Sequence, residues 1–216
     1  MSQAFHSSYN RDEEWSIDPD QVIVPESVDH RDFTEALAYF AALALGPSMR
    51  VCRGLAWYPT PKETAMAPDA MVLPARFVPD GTTSYRQAIV GGPVPTFVAE
   101  VVSDGNDFGT GLAKLRRLRQ LGVPALVVDL DRKTVELFEA SGLPLSCLDR
   151  PFPELGGIRI VEDAEQGLLV QGIDGRRARR VDVAAAELSA SLATEVARAD
   201  RLAEALRALG HDPSTI

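Results

Sequence analysis

The sequence has few of the residues that cross-link a chain or bind transition metals. Its 216 residues include two cysteines, Cys52 and Cys147, and three histidines. Two cysteines are too few for a disulfide framework and are typical of a reducing compartment. The histidines are scattered, and no Cys or His pair has the spacing of a zinc site. The scarcity of both residues excludes a disulfide scaffold and a structural zinc module.

Long apolar runs are also lacking. The longest, ALAYFAALAL at residues 36–45, is too short to span a bilayer. Residues 1–15 are polar and acidic and contain no apolar signal-peptide core. We therefore expect a cytoplasmic protein without a membrane span.

The formal net charge of −9 argues against non-specific binding of nucleic acid by the whole surface. A local basic groove remains compatible with this charge, because arginines cluster at residues 116–119 and again at residues 176–180. Each cluster alone is typical of a solvated helix face or a turn.

The composition predicts three segments. Residues 1–27 form an N-terminal lead-in, and residues 28–175 form the folded domain. From residue 182 the chain is rich in Ala, Leu, Glu and Arg, and an apolar seam at residues 182–210 predicts a C-terminal helix. The helix is either a coiled coil that joins two chains or a helix packed on its own domain.

Within the domain, apolar periodicity predicts an α/β (α+β) fold with the order helix, strand, strand, strand, helix, strand. We expect a first helix from Asp29 to Leu45, capped by Asp29 or Asp32 and ended by Gly46. Further elements follow along the chain: strands at 49–58, 65–74 and around Glu100, a loop at 75–95, a helix near 112–121, strands at 125–130 and 133–139, and one or two short strands in 155–173.

Glu100 lies in the middle of an apolar strand, FVAEVV at residues 97–102, that is predicted to be buried on both faces. A carboxylate there costs several kcal/mol unless it is protonated, paired or bound to a metal. Asp69 lies near the start of the preceding strand. If the two strands are antiparallel neighbours, Asp69 and Glu100 share one face, where a divalent cation would relieve their repulsion.

Lys114 is predicted to lie at the edge of a leucine stripe on the following helix, so its ammonium group can turn toward the sheet. By itself such a lysine is typical of a helix surface. Beside two carboxylates it would orient a nucleophile or neutralise charge that develops on a phosphate.

Three motifs in this order resemble the Uma family of putative restriction endonucleases, within the PD-(D/E)XK nuclease superfamily: APDAMVL (67–73), FVAEVVS (97–103) and AKLRRLRQLGVPALVVDLD (113–131). The resemblance implies a restriction-endonuclease-like core, with a mixed central sheet flanked by helices. It also implies cleavage of DNA with Mg²⁺ or Mn²⁺. Asp69, Glu100 and the backbone carbonyl of Val102 would be metal ligands, and Lys114 would be the catalytic lysine.

The resemblance leaves further expectations. Arg116 and Arg117 would contact phosphates, and the tail would support a homodimer. Thr110 stands where many members have an aspartate, so the alternative function is an impaired nuclease fold that acts as a dimeric binding or scaffolding module. His30 precedes the predicted first helix, where the resemblance often places a histidine; we expect a surface role or a role next to the helix N-cap rather than catalysis.

Overall fold

The computed structural model describes residues 27–60, 65–103, 108–139 and 143–181, with a few residues between 192 and 204. The N-terminal lead-in, apart from Ser27, and most of the C-terminal segment lie outside these ranges. The described residues of that segment have helical backbone. Whether they form a coiled coil stays a prediction.

The helices in the described ranges are α1 (Val28–Leu45), α2 (Gln87–Val90) and α3 (Phe108–Gln120). The strands are β1 (Met49–Arg53), β2 (Ala56–Tyr58), β3 (Ala70–Pro74), β4 (Ser84–Arg86), β5 (Phe97–Val102), β6 (Ala125–Asp129), β7 (Thr134–Phe138), β8 (Leu145–Ser146), β9 (Arg159–Asp163), β10 (Gly167–Gln171) and β11 (Arg177–Ala178). Among the described residues, no helix has both the length and the apolar character that a membrane span requires.

Six of the described strands form a central sheet in the order β1-β3-β5-β6-β7-β8. Neighbouring strands are antiparallel, except that β5 and β6 are parallel and are connected by α3. This mixed sheet with flanking helices confirms the predicted α/β fold class. The predicted order of α1, β1, β3, β5, α3 and β6 is also present, with β2, β4 and α2 as insertions.

The sheet has apolar side chains on both faces, and a different helix covers each face. Phe33 and Phe40 of α1 share a core with Ala99 of β5. Leu118 of α3 shares the second core with Val98. Because side chains alternate along a strand, Ala99 faces α1 whereas Val98 faces α3. Glu100 has the same parity as Val98 and therefore belongs to the α3 face.

Helix α1 begins one residue earlier than predicted, and its N-cap is Ser27 rather than Asp29 or Asp32. The Oγ atom of Ser27 accepts a hydrogen bond from the backbone N–H of His30 at 3.1 Å. This bond satisfies one of the donors that the first turn of a helix leaves without an intrahelical partner. The helix ends before Gly46, as predicted, where φ is 71°.

The single strand predicted over residues 49–58 is wrong, because the chain breaks at Gly54 into β1 and β2. Gly54 has a φ of 52°, a conformation that favours glycine. Its N–H points at the backbone carbonyls of Pro68 and Asp69, at 3.1 and 3.3 Å.

The predicted loop at 75–95 likewise contains β4 and α2, and β4 pairs with β2 in parallel.

A second small sheet, ordered β11-β10-β9, packs on the α1 side of the molecule. The sequence predicts one or two short strands in residues 155–173, and the structure has two there, β9 and β10. Ile160 and Val170 belong to the same buried cluster as Phe40 of α1. Gly172 follows β10, and a Cβ atom at that position would lie 2.7 Å from Cδ1 of Phe40. Helix α1 therefore packs against both the central sheet and the small sheet.

Candidate active site

Strands β3 and β5 bring Asp69 and Glu100 together. The two strands are antiparallel, with Ala70 opposite Ala99 and Met71 opposite Val98. Continuing this register by one residue places Asp69 opposite Glu100. The two acids, which are distant in sequence, thus occupy neighbouring positions at the end of the ladder, as the sequence predicts for antiparallel neighbours.

The Asp69 carboxylate takes the place of a backbone partner in this ladder. Its Oδ2 atom accepts a hydrogen bond from the N–H of Val101 at 2.7 Å. The same oxygen lies 3.1 Å from Nε2 of His30, in the first turn of α1. Asp69 therefore contacts both β5 and α1, and two nitrogen atoms lie within 3.1 Å of one of its oxygens.

Glu100 is buried, with 8% of its surface exposed. Its Oε2 atom lies 2.8 Å from Nζ of Lys114. Its Oε1 atom is buried and, among the described residues, has no hydrogen-bond partner. Burial raises the pKa of Glu100 to about 7; the positive charge of Lys114 lowers it and the negative charge of Asp69 raises it. The side chain therefore titrates near neutral pH.

Lys114 reaches from α3 to the sheet, as predicted. Besides Glu100, its Nζ atom donates a hydrogen bond to the backbone carbonyl of Ala67 at 3.0 Å. Burial disfavours the ammonium form, but the charges of Glu100 and Asp69 outweigh this effect, and the pKa of Lys114 lies above its ordinary value. Lys114 is thus a charged amine beside two carboxylates.

The Val102 carbonyl, which the resemblance implies as a third ligand, is engaged elsewhere in the sheet. It accepts a hydrogen bond from the N–H of Leu130 at 2.9 Å, on the β6 side of β5. The N–H of Val101 points to the opposite side, toward Asp69. In an extended strand the N–H and the C=O of one residue point the same way, so the Val101 carbonyl faces the Asp69 side. Of these two carbonyls, the structure turns that of Val101 toward the acids.

In the part of the chain that the structure describes, no three His, Cys, Asp or Glu side chains form a group that could hold a metal ion. A ligand set built here would therefore combine Asp69 and Glu100 with backbone oxygen and water. Such a set suits Mg²⁺, which retains several waters and uses one or two carboxylates, and it does not suit a closed zinc site.

The sequence profile of the Uma2 family, described as "Putative restriction endonuclease", matches residues 2–164. This chain belongs to the Uma2 family. Among solved structures, the Uma2 chain is similar to a putative nuclease of DUF820 from Anabaena variabilis, with 15% sequence identity and a TM-score of 0.47. That similarity covers 58% of this chain and 70% of the other chain. No curated protein matches the sequence.

Two predicted phosphate contacts lie on the helix that carries Lys114. Arg116 is exposed, and Arg117 is half-buried and donates a hydrogen bond to Oε1 of Gln120 at 3.2 Å. Their contact with a phosphate stays a prediction. Thr110 lies on the same helix, in a part whose side chains are outside the described residues.

Sequence reasoning missed His30 as part of the site of this Uma2 chain. The residue is 2% exposed and contacts Asp69, whereas a surface or N-cap role was expected. A signal was present: His30 precedes the buried residues Phe33 and Leu37 by three and seven positions, which is the spacing of one helix face. Placing the N-cap at Asp29 or Asp32 concealed this alignment.

Proposed function

We propose that this Uma2 chain is a metal-dependent endonuclease that hydrolyses phosphodiester bonds in DNA. Family membership supports a nuclease. The observation that carries the metal site is the buried Oε1 atom of Glu100, which lacks a hydrogen-bond partner among the described residues although Asp69 and Lys114 lie beside the same carboxylate. A buried carboxylate oxygen without a donor is costly, and a cation would satisfy it.

The donors fit a hard divalent cation. Asp69 and Glu100 supply carboxylate oxygens, and Mg²⁺ and Mn²⁺ prefer oxygen ligands. Glu100 would bind in its ionised form, which its pKa of about 7 makes available at and above neutral pH. The carbonyl of Val101 would supply the third oxygen ligand in place of the expected Val102 carbonyl, because the Val101 carbonyl faces the Asp69 side of the strand.

When bound, the cation would supply positive charge that polarises the phosphodiester and makes a water molecule more acidic. The chain's own residues would do the rest. Glu100 and Asp69 would supply carboxylate oxygens at the end of the β3–β5 ladder. Lys114 places an ammonium group beside them, where it would orient the nucleophile and stabilise negative charge that develops on the phosphate oxygens.

DNA is the substrate that the restriction-endonuclease family supports. Arg116 is exposed on α3, two residues beyond Lys114, and would contact a phosphate on either side of the scissile bond. A local basic element of this kind reconciles a polyanionic substrate with a net charge of −9. The two cysteines, which are buried and free, support the cytoplasm as the compartment.

Two observations favour a second candidate function. Lys114 forms an ion pair with Glu100, and Thr110 replaces an acid that the family often has. If the ion pair persists, the fold would serve as a dimeric binding or scaffolding module without cleavage. The two functions differ in a measurable way, because only the nuclease needs the cation and the amine.

The deciding experiment incubates the full-length protein with supercoiled plasmid and Mg²⁺, Mn²⁺ or a chelator. We expect nicking with either cation, none with the chelator, and none by Glu100→Gln or Lys114→Met. Calorimetry with Mn²⁺ supplies a test that does not depend on turnover. Unchanged Mn²⁺ affinity in Glu100→Ala would contradict the metal site, and Mn²⁺ binding without cleavage would favour the module.

A further inference from the structure

We propose that His30 is a positioning residue, which holds the Asp69 carboxylate in the orientation that the metal site requires. The inference rests on the proposed function, because Asp69 is taken to be a metal ligand. It adds a residue that contacts the ligand rather than the cation.

The contact itself is close and buried. The Nε2 atom of His30 lies 3.1 Å from Oδ2 of Asp69, and 3% of the His30 side chain is exposed against 17% of the Asp69 side chain. At this distance a protonated imidazole attracts the Asp69 carboxylate. The N–H of Val101 approaches the same oxygen at 2.7 Å. The Val101 hydrogen bond and the imidazole contact restrict the rotation of the carboxylate, and its second oxygen, Oδ1, is left for another partner.

A closed path of contacts holds His30 in place. Its N–H donates to the Oγ atom of Ser27 at 3.1 Å, and its carbonyl accepts from Oγ1 of Thr34 at 2.8 Å. The Oγ atom of Ser27 lies 3.0 Å from that of Ser103, directly after β5. The path therefore runs from β5 to the first turn of α1, on to Asp69, and back to β5 through Val101.

This path fixes the distance between the two acids. Glu100 and Val101 are adjacent on β5, and Ser103 follows two residues after Val101. Asp69 is thus held at two points by the strand that carries Glu100, once directly and once through the helix. A ligand pair that is oriented by its neighbours binds a cation more tightly than a pair that is free to rotate, typically by tenfold or more.

The structure suggests a matched pair of substitutions. The amide nitrogen of glutamine reaches about as far as Nε2 of histidine, whereas that of asparagine reaches only about as far as Nδ1. His30→Gln should therefore recover most of the contact with Asp69, and His30→Asn should lose it. Both variants are neutral amides, so charge alone does not explain a difference between them.

The first measurement is the Mn²⁺ affinity of the full-length protein. It is determined from the electron paramagnetic resonance signal of free Mn²⁺. We expect His30→Asn to weaken binding about tenfold or more, and His30→Gln to remain close to wild type. Cleavage by His30→Asn should recover at saturating Mn²⁺. Equal affinity in all three proteins would overturn the positioning role.

A pulsed resonance measurement on bound Mn²⁺ separates positioning from direct ligation. We expect no coupling to a coordinated imidazole nitrogen in the wild-type protein. A nitrogen coupling that disappears in His30→Asn would make His30 a ligand and overturn the inference.

A metal-free test keeps the inference separate from the nuclease proposal. In chelator, the unfolding midpoints of His30→Asn, Asp69→Asn and the double variant should be non-additive, because the contact is lost only once. If the shifts in unfolding midpoint are additive, the positioning role of His30 is wrong even if the protein cleaves DNA. If the shifts are non-additive but the protein does not cleave DNA, only the proposed nuclease function is wrong. If His30→Asn does not fold, Ser103→Ala replaces it, with a smaller loss of Mn²⁺ affinity expected and an unchanged affinity counting against the path.

Discussion

Lys114 and Glu100 form an ion pair of 2.8 Å between an α-helix and the centre of a sheet. The pair leaves one carboxylate oxygen of Glu100 buried and, among the described residues, without a hydrogen-bond donor. The net charge of this pair therefore depends on pH, on the Lys114 amine and on any bound cation. Each of these can be changed in an experiment.

Glu100 should make the metal-free protein less stable as pH rises. Its pKa is about 7 in the folded protein and near its ordinary value of 4.5 when the chain is unfolded. Between these values the folded state retains a proton that the unfolded state has released. The resulting contribution to the free energy of unfolding is complete below pH 4.5 and is lost as pH rises through about 7.

Urea unfolding in chelator from pH 4.5 to 8 checks this expectation, with Glu100→Gln as the control. The neutral amide cannot titrate, so the variant should lack the part of the decline that Glu100 causes. A decline of the same size in both proteins would assign it to other groups.

Lys114→Met should destabilise the protein by about 1–3 kcal/mol, because it leaves a buried carboxylate without its donor. The loss should be larger at pH 8 than at pH 6, since Glu100 is protonated more at the lower pH. The double variant Lys114→Met/Glu100→Gln removes both charges and should regain stability while remaining inactive. Measured free energies of unfolding test the stability of these variants, and plasmid nicking tests their activity. Cleavage by Lys114→Met would exclude a catalytic role for Lys114.

Gly172→Ala should destabilise the fold by about 1–3 kcal/mol through overpacking. The added Cβ atom would lie 2.7 Å from Cδ1 of Phe40, where the small sheet packs on α1. Phe40→Leu removes the ring, so the double variant should be more stable than the two single effects predict. Additive losses in thermal unfolding would show that the two residues do not compete for this space.

The C-terminal segment should join two chains. Leu192 and Leu202 are 63% and 58% exposed, although the apolar seam of the sequence contains both. We expect light scattering to give the mass of a dimer, and Leu192→Glu/Leu202→Glu to reduce it to that of a monomer. Arg201→Glu changes the net charge by the same −2 outside the seam and should leave the dimer intact. A wild-type monomer would make the coiled-coil interpretation wrong.

The strand and helix order was predictable because apolar runs and glycine stops mark the elements of this chain strongly. The meeting of Asp69, Glu100 and Lys114 followed from that order and from the family motifs. The N-cap was not predictable, since Ser27, Asp29 and Asp32 all suit that position chemically. The first cap in the sequence is used, and this choice turns His30 inward.

The direction of the β5 carbonyls also could not be predicted from the sequence. Val101 and Val102 are chemically alike, and only the pairing of β5 with β3 on one side and β6 on the other distinguishes them. The break at Gly54 had a similar cause. Its N–H approaches carbonyls of Pro68 and Asp69, fourteen and fifteen residues away, and local propensity gives no indication of such partners.

Ala67 and Asp69 lie on either side of Pro68, and they serve different halves of the site. The carbonyl of Ala67 anchors the amine of Lys114, while the side chain of Asp69 joins β5 and α1. The proline ring fixes its own φ near −65° and restricts the residue before it. Three consecutive residues thus set the spacing between the amine anchor and the acid, so a change in the backbone at Pro68 would move both halves of the site together.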